Sequence, residues 1–241
     1  MRPIGKMGNY ISTRIGRAIA DYKMIEDGDR ILVAVSGGKD SLAMLKLLNE
    51  RKSWAPISYD LIAMHIETDY KCASSCSKKL KKFFEKEGIK SKFKKIKIAG
   101  KDKKESCFWC SWNRRKALFV EADKLGCKKV ALGHHKDDII ETLLLNMFFQ
   151  GEFSGMNPRQ ELFGGKLTII RPLCYVEEET IKKYAKEAGL PVQHIACPNS
   201  STSQRRVMKN FIKKTEKSCG NVRTNIFRSI SRINREYTQV V

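Results

Sequence analysis

The sequence predicts an α/β protein built on a doubly wound parallel sheet, and three observations support this fold class. Short apolar runs alternate with longer segments of helical periodicity, as they do in consecutive βα units. Glycine-bearing polar turns follow two of the apolar runs directly, where a parallel sheet carries its binding edge. The chain has 241 residues, enough for one such domain with helical additions. We predict an N-terminal helical segment at residues 1–27, the α/β domain at 28–200 and a basic helical region at 201–241.

The elements follow the chain in a regular order. A first helix is predicted by apolar residues at helical spacing, namely Ile11, Ile15, Ile19 and Tyr22. Apolar runs predict strands at residues 30–35, 61–66, 130–132 and 167–170, an edge strand at 93–98 and a short extended piece at 192–195. Helices are predicted at residues 41–50, 78–87, 112–125, 137–149 and 177–188. The alternation indicates that the strands of the sheet are parallel. Residues 151–166 are rich in glycine and polar residues, which predicts a loop or hairpin able to close over a substrate.

Charge and cysteine usage indicate the partner and the compartment. Lys and Arg number 47 against 26 for Asp and Glu, a formal charge of +21, and so basic a chain usually binds a polyanion such as nucleic acid. Arginines between the apolar residues of 223–235 predict an amphipathic basic helix, for which docking onto the protein and RNA contact both stay open. The eight cysteines accompany neither a signal-peptide pattern nor a long apolar span. We therefore expect a reduced, cytoplasmic protein without membrane association.

One polar segment separates the first predicted strand from the helix that follows it. Its sequence is Ser36-Gly37-Gly38-Lys39-Asp40-Ser41. A helix N-terminus presents unpaired N–H groups at a positive dipole end, which is an anion site. Glycines let a phosphate approach the backbone, Lys39 adds a charge, and the serine hydroxyls can donate to phosphate oxygens. The spacing is not that of a Walker A loop, and a merely structural Gly-Gly turn leaves Lys39 and Asp40 unexplained. This 36–41 loop resembles the S-G-G-x-D-S loop of the PP-loop ATP pyrophosphatases. The resemblance implies that it binds ATP, and we predict that Lys39 and Asp40 are catalytic.

A second polar turn follows the strand predicted at residues 130–132. Its sequence is Gly133-His134-His135-Lys136-Asp137-Asp138. In a parallel sheet this edge lies beside the end of the first strand. Asp137 and Asp138 are predicted to hold a Mg²⁺ that bridges ATP phosphates; capping of the next helix is an alternative, and both roles can hold together.

Further residues are assigned to nucleotide or substrate contact. Gly133, His134 and His135 are predicted to touch nucleotide or substrate. His65, in the second strand, is predicted to lie near the adenine. Arg114, or its neighbour Arg115, is predicted to neutralise charge at the reacting phosphates.

Three cysteines are candidate metal ligands. Cys107 and Cys110 form a C-x2-C at the head of a predicted helix, and Cys197 follows the last extended piece. Three thiolates leave one coordination position open, which suits an iron–sulfur cluster or a zinc with a reactive position. A closed structural zinc would need a fourth ligand, to be sought among Cys72, Cys76, Cys219 and His194. The pair Cys72 and Cys76 is open to two interpretations, persulfide relay or small helix residues, whereas Cys127 and Cys174 are expected in the core.

Together these motifs resemble the tRNA 2-thiocytidine synthetase (TtcA) family of PP-loop ATP pyrophosphatases, and more distantly the thiouridine synthetases of the same group. The likeness spans about residues 19–208 and rests on the S-G-G-x-D-S pattern of the 36–41 loop, the cysteines and the turn at residues 133–138. It implies an adenine nucleotide α-hydrolase-like (HUP) fold, and ATP with Mg²⁺ at the 36–41 loop. It also implies a [4Fe-4S] cluster held by Cys107, Cys110 and Cys197. Where many members carry a further cysteine, this chain has Ser200.

The resemblance also implies the reaction. The C2 carbonyl oxygen of a tRNA pyrimidine, expected to be cytidine 32, attacks the α-phosphorus of ATP, and sulfur delivered through the cluster then replaces AMP to give 2-thiocytidine. The sulfur donor would be a cysteine desulfurase or free sulfide, and a homodimer is one expected assembly. The alternatives are another PP-loop tRNA-modifying enzyme, making 2-thiouridine or a lysidine-type product, and a non-catalytic nucleotide- or RNA-binding module. A lysidine-type ligase has no use for the three cysteines.

Overall fold

Eight helices and six strands make up the part of the chain that the structure describes. The structure is a computed structural model, and it describes residues 5–68, 73–98, 107–193, 204–234 and 236, with the backbone alone at residues 73–76 and 107–108. The strands are β1 (Asp29–Ala34), β2 (Tyr59–Thr68), β3 (Ser91–Ile96), β4 (Lys129–Ala131), β5 (Arg159–Leu162) and β6 (Leu167–Ile170). The helices are α1 (Lys6–Asp21), α2 (Lys39–Arg51), α3 (Ala73–Lys86), α4 (Cys107–Lys124), α5 (Lys136–Phe149), α6 (Glu178–Glu187), α7 (Gln204–Glu216) and α8 (Val222–Ser229).

The strands form one sheet in the order β3-β2-β1-β4-β6-β5. Five strands are parallel, and Leu32 of β1 lies between Ile62 of β2 and Val130 of β4. The predicted edge position of β3 is confirmed. The predicted parallel sheet is confirmed by these five strands. Strand β5 lies within the predicted loop or hairpin and pairs antiparallel with β6. Only four residues separate these two strands, and so short a connection permits an antiparallel hairpin but no crossover.

Helices cover both faces of the sheet, as the prediction of a doubly wound fold requires. Leu118 and Ala122 of α4 pack against one face, in a cluster that includes Leu32 of β1. Side chains alternate along a strand, so Ile31 and Val33 point to the opposite face, and both are completely buried. Helix α2 contacts β1 and packs against α6.

The strand order reverses beside β1, and this reversal positions the candidate site. Strands β2 and β3 lie on one side of β1, and β4 and β6 lie on the other. In open parallel sheets, ligands bind outside the carboxyl ends of the strands at such a switch point. The 36–41 loop follows β1, and the turn that begins at Gly133 follows β4.

The chain divides into two compact units. The first comprises Met1–His135 and Pro158–Cys197, and the second Lys136–Asn157 and Pro198–Val241. The first unit holds the whole sheet. In the second, α5 packs with α7 and α8 around a core of four buried residues, Ile140, Leu144, Met208 and Ile212. The domain boundaries proposed from the sequence, after residues 27 and 200, stay predictions.

Two segments at the end of the chain differ from the sequence-based expectation. Within 192–195, Val192 and Gln193 belong to no helix or strand, and residues 194–203 lie outside the described residues. The basic helix expected over 223–235 is α8, which ends at Ser229. None of the helices in the described ranges has both the length and the apolarity needed to cross a membrane.

Candidate nucleotide-binding site

The 36–41 loop is held in shape by its own backbone and hydroxyl groups. Gly37 has a φ of 88°, a left-handed conformation that favours glycine. Gly38 is the N-cap residue of α2, and its N–H donates to Ser36 Oγ at 3.3 Å. Ser41 Oγ donates to the Gly38 carbonyl at 3.0 Å and accepts the Ser36 N–H at 3.2 Å. The loop thus forms a compact turn at the positive end of the α2 dipole.

Lys39 is clamped between two carboxylates. Its Nζ lies 3.2 Å from Asp40 Oδ2 and 3.1 Å from Glu178 Oε1, and 23 % of its side chain is exposed. Burial opposes the lysine charge, but the two carboxylates outweigh burial and raise the pKa of Lys39. The lysine is therefore charged and positioned at the loop. The sequence analysis missed Glu178, whose only local signal is its place in an acidic first helical turn.

The turn after β4 lies directly against the 36–41 loop. A Cβ added to Gly133 would lie 3.0 Å from Ser41 N and 3.1 Å from Ser41 Cα, so only glycine fits without displacing the backbone. His135 Nε2 lies 3.8 Å from Asp40 Oδ1, and the ring is buried. The structure therefore brings Gly133 and the loop together, as expected for strand ends that meet at one edge. The predicted contact of His135 with nucleotide or substrate stays a prediction.

A third strand contributes a buried arginine to the same edge. Arg171 directly follows β6 and is 5 % exposed. Burial, aided by the charge of Arg115, lowers the pKa of Arg171 to about 10. Its Nε–H donates to His134 Nδ1 at 3.2 Å. The predicted contact of His134 with substrate stays a prediction, and the sequence analysis missed Arg171.

His65 lies beneath the loop. The ring is 2 % exposed, and its Nδ1–H donates to the carbonyl of Val35 at 2.7 Å. Burial lowers the pKa of His65 more than the Val35 bond raises it, and Arg114 is close enough to lower it further. This placement favours a role in fixing the end of β1, and the predicted adenine contact stays a prediction.

Asp137 and Asp138 begin α5 in the second unit, where arginines engage them. Arg223 donates to both Asp137 and Glu216. Arg205 Nη1 lies 3.6 Å from Asp138 Oδ1. These pairs connect the start of α5 to α7 and α8, a role that the local sequence does not reveal. The predicted Mg²⁺ role of the two carboxylates stays a prediction.

The cysteine site is only partly within the described residues. Cys107 and Cys110 occupy the first turn of α4, and their spacing places them on one side of the helix. Cys110 is half-buried, whereas the Cys107 side chain and all of Cys197 lie outside the described residues, as does Cys72. Across the described ranges, no group of three or more His, Cys, Asp or Glu is placed to hold a metal ion. The proposed cluster ligands therefore stay predictions.

Two other cysteines lie where the sequence analysis expected them. Cys127 is 2 % exposed and Cys174 is completely buried. Burial raises the pKa of both thiols, that of Cys174 to about 12, which disfavours the reactive thiolate.

Known proteins that resemble this chain belong to the PP-loop group that its motifs indicate. A family profile described as a PP-loop domain matches residues 8–215. The tRNA-cytidine(32) 2-sulfurtransferase of Geobacter sulfurreducens is 38% identical over 235 residues, covering 94% of this chain and 91% of that protein. The enzyme of the same name from Polynucleobacter asymbioticus is also 38% identical, covering 95% of this chain and 77% of that protein.

A solved structure shows the same fold. The U34-tRNA thiolase NcsA from Methanococcus maripaludis, with its [4Fe-4S] cluster, superposes with a TM-score of 0.79 over 97% of this chain and 80% of that one. The identity is 22%, so this likeness bears on the fold alone.

The switch-point loop, the glycine contact from β4 and the profile match define this protein as a member of the PP-loop class. Within that class the chain belongs to the tRNA 2-thiocytidine synthetase family, whose curated relatives carry the name tRNA-cytidine(32) 2-sulfurtransferase. The resemblance inferred from the motifs is thereby confirmed.

Proposed function

We propose that this chain is an ATP-dependent tRNA sulfurtransferase that converts cytidine 32 to 2-thiocytidine. The C2 oxygen of the base attacks the α-phosphorus of ATP, pyrophosphate leaves, and sulfur then replaces the adenylated oxygen with release of AMP. Membership of the family supports the reaction class. The single observation that carries the proposal is the Lys39 clamp at the N-terminus of α2.

The clamp favours an anionic substrate at this position. Asp40 and Glu178 keep the lysine charged and fixed, and phosphate oxygens can take their place as hydrogen-bond acceptors. Gly37 and Gly38 leave the backbone open to close approach. A phosphoryl or adenylyl transfer depends chiefly on positioning and charge neutralisation, which Lys39 and the helix dipole supply.

Arginines on α4 and after β6 are the proposed partners of the developing negative charge. Arg171 is held by His134, and Arg114 lies near His65, whose pKa it lowers. A buried guanidinium costs no reorganisation when charge develops in the transition state. We propose Arg114 and Arg171 as cations for the triphosphate or for the leaving pyrophosphate.

Mg²⁺ is proposed to bind at Asp137 and Asp138. Carboxylate oxygens suit this ion. For it to bind there, Arg223 and Arg205 would have to release the two carboxylates.

Cys107, Cys110 and Cys197 are the proposed ligands of a [4Fe-4S] cluster. Cys110, whose side chain the structure describes, suits the role of a cluster ligand. It is half-buried in the first turn of α4, where the helix dipole favours a thiolate. When bound, a cluster with three protein thiolates keeps one iron open to a sulfur ligand. The proposed sulfur donor is a cysteine desulfurase or free sulfide, in a reduced cytoplasm.

The test is reconstitution with purified components. Protein prepared without oxygen is incubated with unmodified tRNA, ATP, Mg²⁺ and sulfide, and the tRNA nucleosides are analysed by mass spectrometry. We expect 2-thiocytidine, with AMP and pyrophosphate formed in equal amounts. A 2-thiouridine or lysidine product would contradict the cytidine assignment, and an absence of nucleotide cleavage would contradict the enzyme assignment.

The cluster is tested separately by iron content. Cys110→Ala should lose iron and the visible absorbance of the cluster, whereas Cys219→Ala is the matched control because Cys219 is exposed between α7 and α8. Full iron content in Cys110→Ala would remove that residue from the ligand set.

A further inference from the structure

A surface pocket in the first unit is lined by no residue of the 36–41 loop or of the turn at residues 133–138. It has a volume of about 1130 Å³ and lies between α4 and the turn that joins β5 to β6. On α4 it extends from Trp112 to Lys124, a distance of about 18 Å at the rise of an α-helix. Trp112 is two positions after Cys110 in the same helix. We call this surface the α4 pocket.

Phe163 in the α4 pocket has two features that are unfavourable for folding, an exposed ring and a left-handed backbone. It is 65 % exposed, so a large aromatic side chain faces water at the tip of the β5–β6 turn. Its φ is 55°, a left-handed conformation that is a genuine outlier for a bulky residue. The next residue is Gly164, with nearly the same φ, 64°, so the turn accepts glycine in this conformation. An exposed aromatic ring on strained backbone indicates that something other than folding selects the ring.

The other aromatic side chains make the pocket a stacking surface. The ring of Phe119 meets Phe163 edge to face at 6.0 Å. Trp112 is 43 % exposed and stacks in parallel on Trp109 at 5.3 Å. Lys116 Nζ lies 5.2 Å from the centre of the Trp112 ring, within cation–π distance. Preformed aromatic faces beside cations are the chemistry that binds unpaired nucleic acid bases.

The charges of the pocket favour a polyanion. One carboxylate, Asp123, lines it. The lining cations are Arg115, Lys116, Lys124, Lys128 and Lys166. Lys124 forms an ion pair with Glu121 at 3.4 Å. The other four form no ion pair with residues of the described ranges, and all are exposed. A patch of this kind repels itself unless an anion covers it.

We propose that the α4 pocket binds the tRNA substrate, with an unpaired base stacked on Phe163 or Trp112 and its phosphates on the lysines. The inference rests on the proposed function, because it takes the bound polyanion to be the RNA that is modified. RNA is favoured over a protein partner since aromatic rings and unpaired cations alternate along the pocket. Phosphate contacts would give binding a salt dependence, and ring contacts would give it a stacking contribution.

The sharpest test is Phe163→Gly, measured by the fluorescence anisotropy of labelled tRNA. Glycine adopts a positive φ without cost, so the free energy of unfolding should not fall. Loss of one stacked base should weaken tRNA binding by about tenfold. Trp54→Ala is the control, since Trp54 is also an exposed aromatic residue of the first unit, at 51 %, and lies outside the pocket; it should bind tRNA like the parent protein.

A charge-matched pair of double variants tests the phosphate contacts. Lys128→Ala with Lys166→Ala removes two pocket lysines, and Lys182→Ala with Lys183→Ala removes two exposed lysines of α6. Both pairs lower the net charge equally. Only the pocket pair should make the plot of log affinity against log salt shallower, by about 1–2 in slope.

The outcomes separate this inference from the proposed function. If Phe163→Gly and the pocket lysine pair bind tRNA as tightly as their controls while the parent protein makes 2-thiocytidine, the inference is wrong and the function stands; the pocket would then serve another partner. If the parent protein neither binds nor modifies tRNA, both are wrong. Selective weakening in Phe163→Gly and the pocket pair supports the inference.

Discussion

The turns after β1 and β4 have similar local sequences, yet different parts of the chain complete them. In the 36–41 loop the hydrogen bonds join Ser36, Gly38 and Ser41, and one partner of Lys39 is the next residue. At the start of α5, Asp137 is engaged by Arg223, which is 86 residues away. When a turn is stabilised by residues close to it in the chain, the role of its side chains can be predicted from the sequence. A turn stabilised by distant residues leaves the role of its side chains open until the fold is known.

The largest effect is expected from comparing two lysines of α2. Lys39 and Lys46 are each held by two carboxylates, the latter by Glu50 at 3.0 Å and Glu87 at 2.7 Å. Lys39→Met should lower the rate of 2-thiocytidine formation by on the order of 100-fold, because a charge at the phosphates is lost. Lys46→Met should keep the rate, and each variant should lose about 1 kcal/mol of unfolding free energy. Equal loss of activity in both variants would contradict a catalytic role that is specific to Lys39.

The second prediction concerns the arginine that engages Asp137. Arg223→Ala leaves this buried carboxylate without its guanidinium partner and should lower the free energy of unfolding by about 2 kcal/mol, measured in urea. Arg228→Ala is the control, because Arg228 lies on the same helix and is exposed. Adding Asp137→Asn to Arg223→Ala should restore part of the loss. An unchanged midpoint in Arg223→Ala would show that the pair does not stabilise the second unit.

A smaller effect is expected at the contact of β4 with the 36–41 loop. Gly133→Ala would place a methyl group about 3 Å from the backbone of Ser41, so the loop or the strand must shift. We expect a loss of about 1–2 kcal/mol in stability and weaker ATP binding by titration calorimetry. Gly220→Ala is the control, since an added Cβ there meets nothing within 4 Å. Normal ATP affinity in Gly133→Ala would show that the loop tolerates displacement.

The smallest effect is a pH dependence of stability. Burial lowers the pKa of His65 from 6.5, so the unfolded chain binds this proton more readily than the folded protein. The contribution to stability is therefore present above the unfolded pKa and is lost as the pH falls below it. His65→Asn keeps an N–H for the Val35 carbonyl but cannot titrate. Unfolding in urea at about pH 7.5 and about pH 5.5 should show a smaller loss in the variant than in the parent; identical losses would exclude His65 as the source.

Most of the fold could be predicted because its signals are local. Apolar runs and helical periodicity located five of the six described strands and seven of the eight described helices, with shifted ends. Helix α7 was expected only as part of a basic helical region. The hairpin strand β5 was not assigned, since its sequence, Arg159–Leu162, carries no apolar run. Its pairing with β6 decides its conformation.

The candidate site was predictable in part for the same reason. The 36–41 loop and Gly133 follow strands, and their glycine and polar residues indicate a binding turn at the edge of the sheet. Glu178, Arg171 and Arg223 were missed because each acts on a residue far away in the chain. The structure places His65 in the core, bonded to the carbonyl of the residue after β1, and its expected place near the adenine stays a prediction.

The sequence by itself determined the glycine turn of the 36–41 loop and the βα alternation, because hydrogen bonds and hydrophobic periodicity act between residues close in the chain. The tertiary structure alone decided which charged side chains meet. The order β3-β2-β1-β4-β6-β5 brings together strand ends that are far apart in sequence, and the packing of α6 on α2 places Glu178 beside a lysine 139 residues earlier. Charge pairing depends on distance in space, which a linear pattern does not specify.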